Sequence, residues 1–542
     1  MRMDNKRLSI IGLLIICQTF SCVWMSKANG NLIWKPDNKD GTYKNPIIYS
    51  DYSDPDVIRV GEDFYMIASS FNCVPGLPIL HSKDLVNWKL IGHAIERFED
   101  ERFNIPHHGN GVWAPSIRYH DGWFWIFYGD PDAGIFMTKA KNPAGPWEPL
   151  HLVQEGKGLI DTCPLWDDDG KAYIVHAWAK SRAGINSILT VKRMNPDGRK
   201  ILDEGTMVFD GREGVAPTIE GPKFYKRNGY YYIFAPAGGV SHGWQLALRS
   251  KNVLGPYEYK RVLEQGSTNI NGPHQGGWVE LENGDDWFVH FQDHEAYGRI
   301  VHLNPVSWVD DWPLMGVDLD GNGVGEPVTK YKKPNVGKTY PLVVPRTSDE
   351  FNSDKMGLQW QWHANYKNEW MSLTDRSGWM RLFAVPAPAD AVNLWPVPNL
   401  LLQKFPAPEF TVTTKLDFSK LNEGEKTGLL IMGQSYSYIA VEKTSSGCRL
   451  IKMSCKDARG GDGEVKESNV GIKGDSIMLR VTVGEDAVCD FSYGRGTEFS
   501  KIGETFTARE GRWIGAKVGL FCLSKSVRQK SGYADFGWFR FE

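Results

Sequence analysis

Five stretches of this chain repeat one pattern, and repetition at this interval restricts the possible folds more than any other feature. The first stretch is Asp54-Pro-Asp-Val-Ile-Arg-Val-Gly-Glu-Asp-Phe-Tyr-Met-Ile, and its counterparts open at Ala114, Asp161, Glu220 and His274. Each has a small or polar lead residue, an apolar strand, a turn of Gly, Asp or Asn, and a second strand rich in aromatic residues. That is the signature of a β-hairpin. The leads stand about 47 to 60 residues apart, the length of one four-stranded propeller blade. Five such units predict an all-β, five-bladed β-propeller over residues 29–334. The innermost strands of a propeller line one channel, so the repeat also predicts a convergent site built from Asp54, Asp161, Glu220 and His274.

Beyond this region, 335–345 is rich in Pro, Gly and Lys and reads as a linker. Residues 346–542 lose the blade repeat but keep short alternating strands, which predicts a β-sandwich of jelly-roll type. A chain of 542 residues has room for both domains. With a net charge of −3, no face can be strongly basic without an acidic one elsewhere, which argues against a nucleic-acid partner. At the other end, Arg2, Lys6 and Arg7 precede the apolar run Leu8 to Cys17, and Ser26-Lys27-Ala28 offers small residues at peptidase spacing. Residues 1–28 therefore read as a signal peptide of an exported protein, periplasmic or extracellular, without membrane insertion. A lipid anchor at Cys22 is disfavoured by Thr19-Phe20-Ser21. The remaining cysteines (Cys73, Cys163, Cys448, Cys455, Cys489 and Cys522) form no CxxC pair, which speaks against zinc. Cys448 and Cys455 could bridge in an oxidising compartment, or all six could be buried thiols.

Three carboxylates and a histidine at one channel mouth suit glycoside cleavage. That reaction needs one carboxyl group to protonate the leaving oxygen and a second to activate water or attack directly. A third can raise the donor's pKa by like charge. Set against this, Asp161 could be a turn-capping residue, His274 a core histidine and Arg299 an ion-pair partner. The 21 Trp, 21 Tyr and 25 Phe supply flat faces that suit sugar rings, although β-rich cores use aromatics too.

From about residue 40 to 330 the chain resembles glycoside hydrolase family 43. The resemblance rests on Asp54-Pro-Asp-Val-Ile-Arg-Val-Gly61, Ser82-Lys-Asp-Leu-Val-Asn-Trp88, Gly111-Val-Trp-Ala-Pro115, Asp161 with Trp166-Asp-Asp-Asp-Gly170, Glu220-Gly-Pro222, Gly272-Pro-His-Gln275 and Gly298-Arg-Ile-Val-His-Leu-Asn-Pro-Val-Ser-Trp308 in shared order. It implies that Asp54 is the general base, Glu220 the general acid and Asp161 the residue that orients the acid and raises its pKa. It also implies inversion, with base and acid roughly 6.5–9.5 Å apart. Arg299 would bind sugar hydroxyls, and His274 would hold a water or a calcium ion on the propeller axis. No cofactor is required, calcium being the one metal that enters, at His274 or structurally. Phe71 and Trp113, beside matched motifs, are expected to wall the sugar pocket, and His107 and His108 could contact a leaving group. Thr162 stands where the family often has Pro. Cys73 and Cys163 fall near the site by motif but are not expected to react.

The second region resembles the concanavalin-like sandwich that follows many family 43 xylosidases and arabinofuranosidases. Its carriers are Asp349-Glu-Phe-Asn352, Leu358-Gln-Trp-Gln-Trp362, Trp379-Met-Arg-Leu382 and Gly532-Tyr-Ala-Asp-Phe-Gly-Trp-Phe539. Gly537 replaces an Asp that can hold structural calcium, and the domain's usual part is to wall off one side of the pocket. Asp318-Leu-Asp-Gly-Asn-Gly-Val-Gly-Glu326 lacks full EF-hand ligand spacing and reads as a tight turn. Gly156-Lys-Gly158 is no phosphate loop, since no helix follows. The expected activity is exo-acting release of terminal α-L-arabinofuranosyl units from hemicellulose side chains, as in xyloglucan or arabinoxylan oligosaccharides. A β-D-xylosidase is the alternative. An endo-arabinanase and a non-catalytic sugar-binding propeller fit less well.

Overall fold

A computed structural model describes residues 32–525 and 531–542. The basic and apolar N-terminal segment, with Cys22 and the expected cleavage after Ala28, lies outside them. Five antiparallel four-stranded sheets follow one another, each with its strands in sequence order. Their innermost strands are Asp56–Val60, Trp113–His120, Leu159–Trp166, Lys223–Arg227 and His274–Glu280, defining blades I to V. Turn chemistry sets the hairpins. Asp121-Gly122 (φ 50° and 75°) and Asn228-Gly229 (φ 51° and 71°) are two-residue turns with both residues left-handed, the conformation whose twist matches paired strands. The second strand of blade II, Trp123–Asp130, is buried along nearly its whole length because neighbouring blades cover both its faces.

The ring closes through the segment before Asp54. Thr42–Lys44 pairs with Lys330–Lys332, Ile48 bridges Val301, and the Tyr43 hydroxyl donates to Leu303 O at 2.7 Å. Tyr43, Ile47, Ile48 and Tyr52 fill the seam between blades I and V. Below the mouth, buried ions plug the axis. Asp56 accepts from Arg118 Nη1 at 2.7 Å, Arg118 Nη2 reaches Cys163 Sγ at 2.8 Å, and Lys223 Nζ donates to Pro115 O and Ser116 Oγ, each at 2.9 Å.

The second unit is a sandwich of two eight-stranded sheets. Its core is continuous with the seam of blades I and II. Ile67, Val74, Leu77, Ile117 and Tyr128 pack in the same cluster as Trp360, Trp362, Leu401 and Phe410. Buried hydrogen bonds pin this junction: Val74 bridges Trp362, and Asn365 exchanges bonds of 2.9 Å with the backbone of Phe98. Cys448 and Cys455 lie on one strand, Gly447–Cys455, at a rise of about 3.3 Å per residue, which is too far apart to bridge. All six described cysteines are free thiols. Gly537 lies under the Trp379 ring, 3.1 Å from where a Cβ would stand, so an indole covers the position that could carry an Asp. Asp318 accepts the amides of Gly321, Asn322 and Gly323 from its own loop, which makes it a tight turn. Among the described residues no helix is long and apolar enough to cross a membrane.

Candidate active site

Asp54 precedes the inner strand of blade I in a left-handed conformation (φ 54°), and Asp161 adopts the same conformation (φ 58°) at an irregularity within the inner strand of blade III. The corresponding left-handed residues are Ala114 (35°), Gly221 (59°) and Gln275 (28°). Glu220 and His274 therefore stand one residue ahead of Asp54 and Asp161, not level with them as the hairpin pattern predicts. In blade IV, glycine takes the strained place for a steric reason. A Cβ on Gly221 would lie 2.1 Å from Gln275 Cγ. Strain of this kind persists only where its surroundings over-determine it, as they do at functional sites.

Asp54 is 4% exposed and surrounded by donors. Ser53 Oγ donates at 2.7 Å and Ser69 Oγ at 2.6 Å to its Oδ2, while Arg299 Nη1 donates at 2.8 Å to its Oδ1. A carboxylate offers about four lone-pair sites, so three donors leave one for a water. Arg299 also donates to Ser53 Oγ at 2.7 Å and lies over the Phe291 ring. Its guanidinium is thus an ion-pair partner of Asp54 and a lining group at once.

Asp161 accepts one backbone amide, Gly221 N at 2.8 Å. Burial raises its pKa, and the charge of Asp54 adds to the rise. Glu220 accepts no hydrogen bond among the described residues, and its side chain is 33% exposed at the mouth. Burial beneath that opening pushes its pKa up to about 8, and the charge of Asp161 adds to the push. Asp161 and Glu220 compete for one proton. Both carboxyl groups are therefore raised, and the Gly221 amide favours charge on Asp161 over charge on Glu220.

His274 is fully buried, with Nε2 3.5 Å from Glu220 Oε1. Burial, and then the nearby Arg299 charge, lower its pKa to about 3, so this contact joins a neutral ring to a carboxyl group and is no ion pair. Neither ring nitrogen has a hydrogen-bond partner among the described residues. Calcium takes about six to eight oxygen ligands. Among the described residues, no three His, Cys, Asp or Glu side chains are arranged as a set that could hold a metal ion. A water, able to donate and accept, matches a neutral imidazole.

Phe71 and Trp113 meet edge to face at 6.5 Å, the first buried and the second half-buried. Sequence reasoning missed the third member of this aromatic rim, Trp513, which comes from the sandwich. Its ring lies 5.8 Å from the Arg299 guanidinium and is 38% exposed, and the Gly109 turn packs against it. Nothing in the local sequence marks Trp513, because its role depends on a domain contact more than two hundred residues from Arg299. His108 is not at the mouth. It stacks on Trp395 at 3.6 Å and bonds Trp395 O inside the domain junction. His107 stays half-buried beside Arg102 and Arg182. Cys163 is tied to Arg118 and Phe224 N, and Cys73 accepts from Lys517 Nζ at 3.0 Å, so both are structural.

One carboxylate ringed by donors and a second carboxyl group with a raised pKa at one propeller mouth are the arrangement that glycoside cleavage needs. Residues 43–313 match the profile of Glycosyl hydrolases family 43, and 348–542 match the Beta xylosidase C-terminal Concanavalin A-like domain. The chain belongs to glycoside hydrolase family 43. It is 41% identical over 502 residues to a protein of Xylanibacter ruminicola (91% of this chain, 88% of the relative). It is 33% identical to a beta-xylosidase of Formosa agariphila (93% and 91%) and 31% identical to a non-reducing end alpha-L-arabinofuranosidase of Bacteroides ovatus (96% and 97%). Among solved structures, a Bacillus licheniformis GH43 protein superimposes with a TM-score of 0.79 at 27% identity, covering 92% of this chain and 99% of that one.

Proposed function

We propose that this enzyme is an inverting exo-glycosidase that removes one terminal pentosyl unit from hemicellulose oligosaccharides. The observation that carries the reading is the contrast between Asp54, ringed by donors, and Glu220, which accepts no hydrogen bond among the described residues and whose pKa is raised by burial and by the Asp161 charge. Asp54 takes a proton from water, whose oxygen attacks the anomeric carbon. The glycosidic C–O bond breaks as Glu220 gives its proton to the leaving oxygen, and the anomeric configuration inverts. Asp161 does not touch the scissile bond; its charge keeps Glu220 protonated. Arg299 holds Asp54 and lines the sugar seat, with Phe71, Trp113 and Trp513 around it. The sandwich closes one side of the mouth through Trp513, which favours chain ends over an endo-arabinanase substrate. A binding-only propeller would have no use for the proton on Glu220.

For the sugar, α-L-arabinofuranosyl is supported by the Gly272-Pro-His-Gln275 and Arg299-Ile-Val-His302 motifs and by the Bacteroides ovatus relative. β-D-Xylosyl is supported by the Formosa relative, which has the higher identity. Turnover of the 4-nitrophenyl α-L-arabinofuranoside and β-D-xyloside by the purified protein decides between them, and silence on both overturns the proposal. NMR of the earliest product should show the inverted anomer, and retention would mean a glycosyl-enzyme intermediate. We place the enzyme outside the cytoplasm on its N-terminal segment. The exported protein should begin at Asn29, and a chain that keeps residues 1–28 would contradict this.

A further inference from the structure

Asp51 lies outside every strand, three residues before Asp54, and is 4% exposed. Its carboxylate joins two parts of the chain that belong to different domains. Oδ1 accepts Arg299 N at 3.0 Å, and Oδ2 accepts Gly515 N at 3.2 Å. Its carbonyl accepts Lys404 Nζ, and that ammonium sits 4.0 Å from the centre of the Tyr52 ring. Arg299 carries the guanidinium bound to Asp54, while Gly515 ends the turn that presents Trp513.

The two backbones meet so closely that neither tolerates a side chain. A Cβ on Gly298 would lie 2.6 Å from Gly515 N and 2.7 Å from Asp51 Cγ, and one on Gly515 would lie 2.8 Å from Gly298 N. Ala516 N adds a bond of 2.7 Å to Ala296 O. At this junction a single carboxylate satisfies one amide from the propeller and one from the sandwich.

We propose that Asp51 is a positioning residue that locks the Trp513 turn of the sandwich to the Arg299–Asp54 pair of the propeller, so that the second domain sets the geometry of the reaction site. The proposal rests on the hydrolytic reading above. Its physical basis is that the two amides share one anchor. If the anchor goes, Arg299 and Trp513 loosen together, and a misplacement of about 1 Å at a reaction centre can cost on the order of 10²-fold in rate.

The test uses the full chain with Asp51→Ala and the milder Asp51→Asn, which keeps one acceptor oxygen. Hydrogen exchange, which needs no turnover, should rise together over 296–300 and 513–516 in Asp51→Ala. On the pentoside that the parent cleaves, kcat/KM per folded molecule should fall about 10²-fold, mainly through kcat, with Asp51→Asn in between. Read as kcat/KM on a pentosyl oligosaccharide, Trp513→Ala should cost less in the Asp51→Ala background than in the parent, because the two act as one unit. A purely structural staple would lower the melting temperature and leave kcat/KM per folded molecule within about twofold, with the Trp513 effect fully additive; that result overturns the proposal. Exchange that rises in only one of the two segments overturns it too. A parent silent on both pentosides counts against the hydrolytic reading alone, since the exchange result still decides for or against the clamp.

Discussion

Asp54 and Glu220 share one channel mouth in opposite surroundings. Two serine hydroxyls and a guanidinium aim at Asp54, and all three donate. Glu220 accepts no hydrogen bond among the described residues; burial and the charge of Asp161 outweigh the pull of Arg299, and a neutral imidazole lies at 3.5 Å. Two carboxyl groups with similar intrinsic acidity thus differ through their neighbours alone, and the proposed mechanism uses one as proton acceptor and the other as proton donor. The difference lies in what the blades bring beside each group. Blade I contributes its own Ser53 and Ser69, whereas blade IV meets the carboxylate of blade III.

The comparison can be broken most forcefully by removing either pole. Asp54→Asn and Glu220→Gln should each reduce kcat by about 10²–10⁴-fold with the fold intact by circular dichroism, and near-parental turnover in either would end the assignment. Glu220→Gln should be partly spared on activated aryl leaving groups, which need little protonation, while Asp54→Asn should not.

Asp161→Asn is next in size and sharpens the comparison through pH. Glu220 acts in its protonated form, and its pKa of about 8 is held up by burial and by Asp161. Loss of that charge lowers the pKa, so the alkaline limb of kcat/KM should move to lower pH. Natural glycosides should lose roughly tenfold more than activated ones. An unmoved limb with equal losses on both substrates would make Asp161 a structural residue.

Trp513→Ala tests whether the sandwich belongs to the mouth. An indole face at the rim contributes about 1 kcal/mol, so KM for oligosaccharides should rise about fivefold with little change for the aryl pentoside. Equal KM values would confine Trp513 to the domain junction.

The smallest effect concerns stability. Glu220 is raised from an ordinary value of 4.5 to about 8 in the folded state. Across that window the folded chain keeps a proton that the unfolded chain releases. The group's contribution is therefore full below about pH 4.5 and fades as pH rises toward 8. The Glu220→Gln variant carries no such dependence. Its melting temperature should match the parent's near pH 5 and exceed it near pH 8.5, and the reverse order would contradict a raised pKa.

The five-bladed ring was legible because each blade writes the same hairpin into the sequence. Asp121-Gly122 and Asn228-Gly229 fix local turns whatever the rest of the chain does, and five repeats of one unit must close on a common axis. That periodicity led to Asp54, Asp161, Glu220 and His274 as converging residues, although the one-residue offset of Glu220 and His274 depends on a backbone torsion that no hairpin pattern records. His108 looked like a mouth residue by its neighbours in sequence, yet the packing of Trp395 draws it into the domain junction.

The sequence by itself determined the blades, the carboxylates and the presence of a second β domain, since these follow from local turn chemistry and from repetition. Only the tertiary structure decided that Asp54 is ringed by donors while Glu220 is not, that Trp513 completes the rim, and that Asp51 contacts both domains with one side chain. Each of these rests on burial and on contacts between residues as far apart as Asp51 and Gly515. Desolvation and charge coupling are properties of a folded surface that pattern along the chain does not carry.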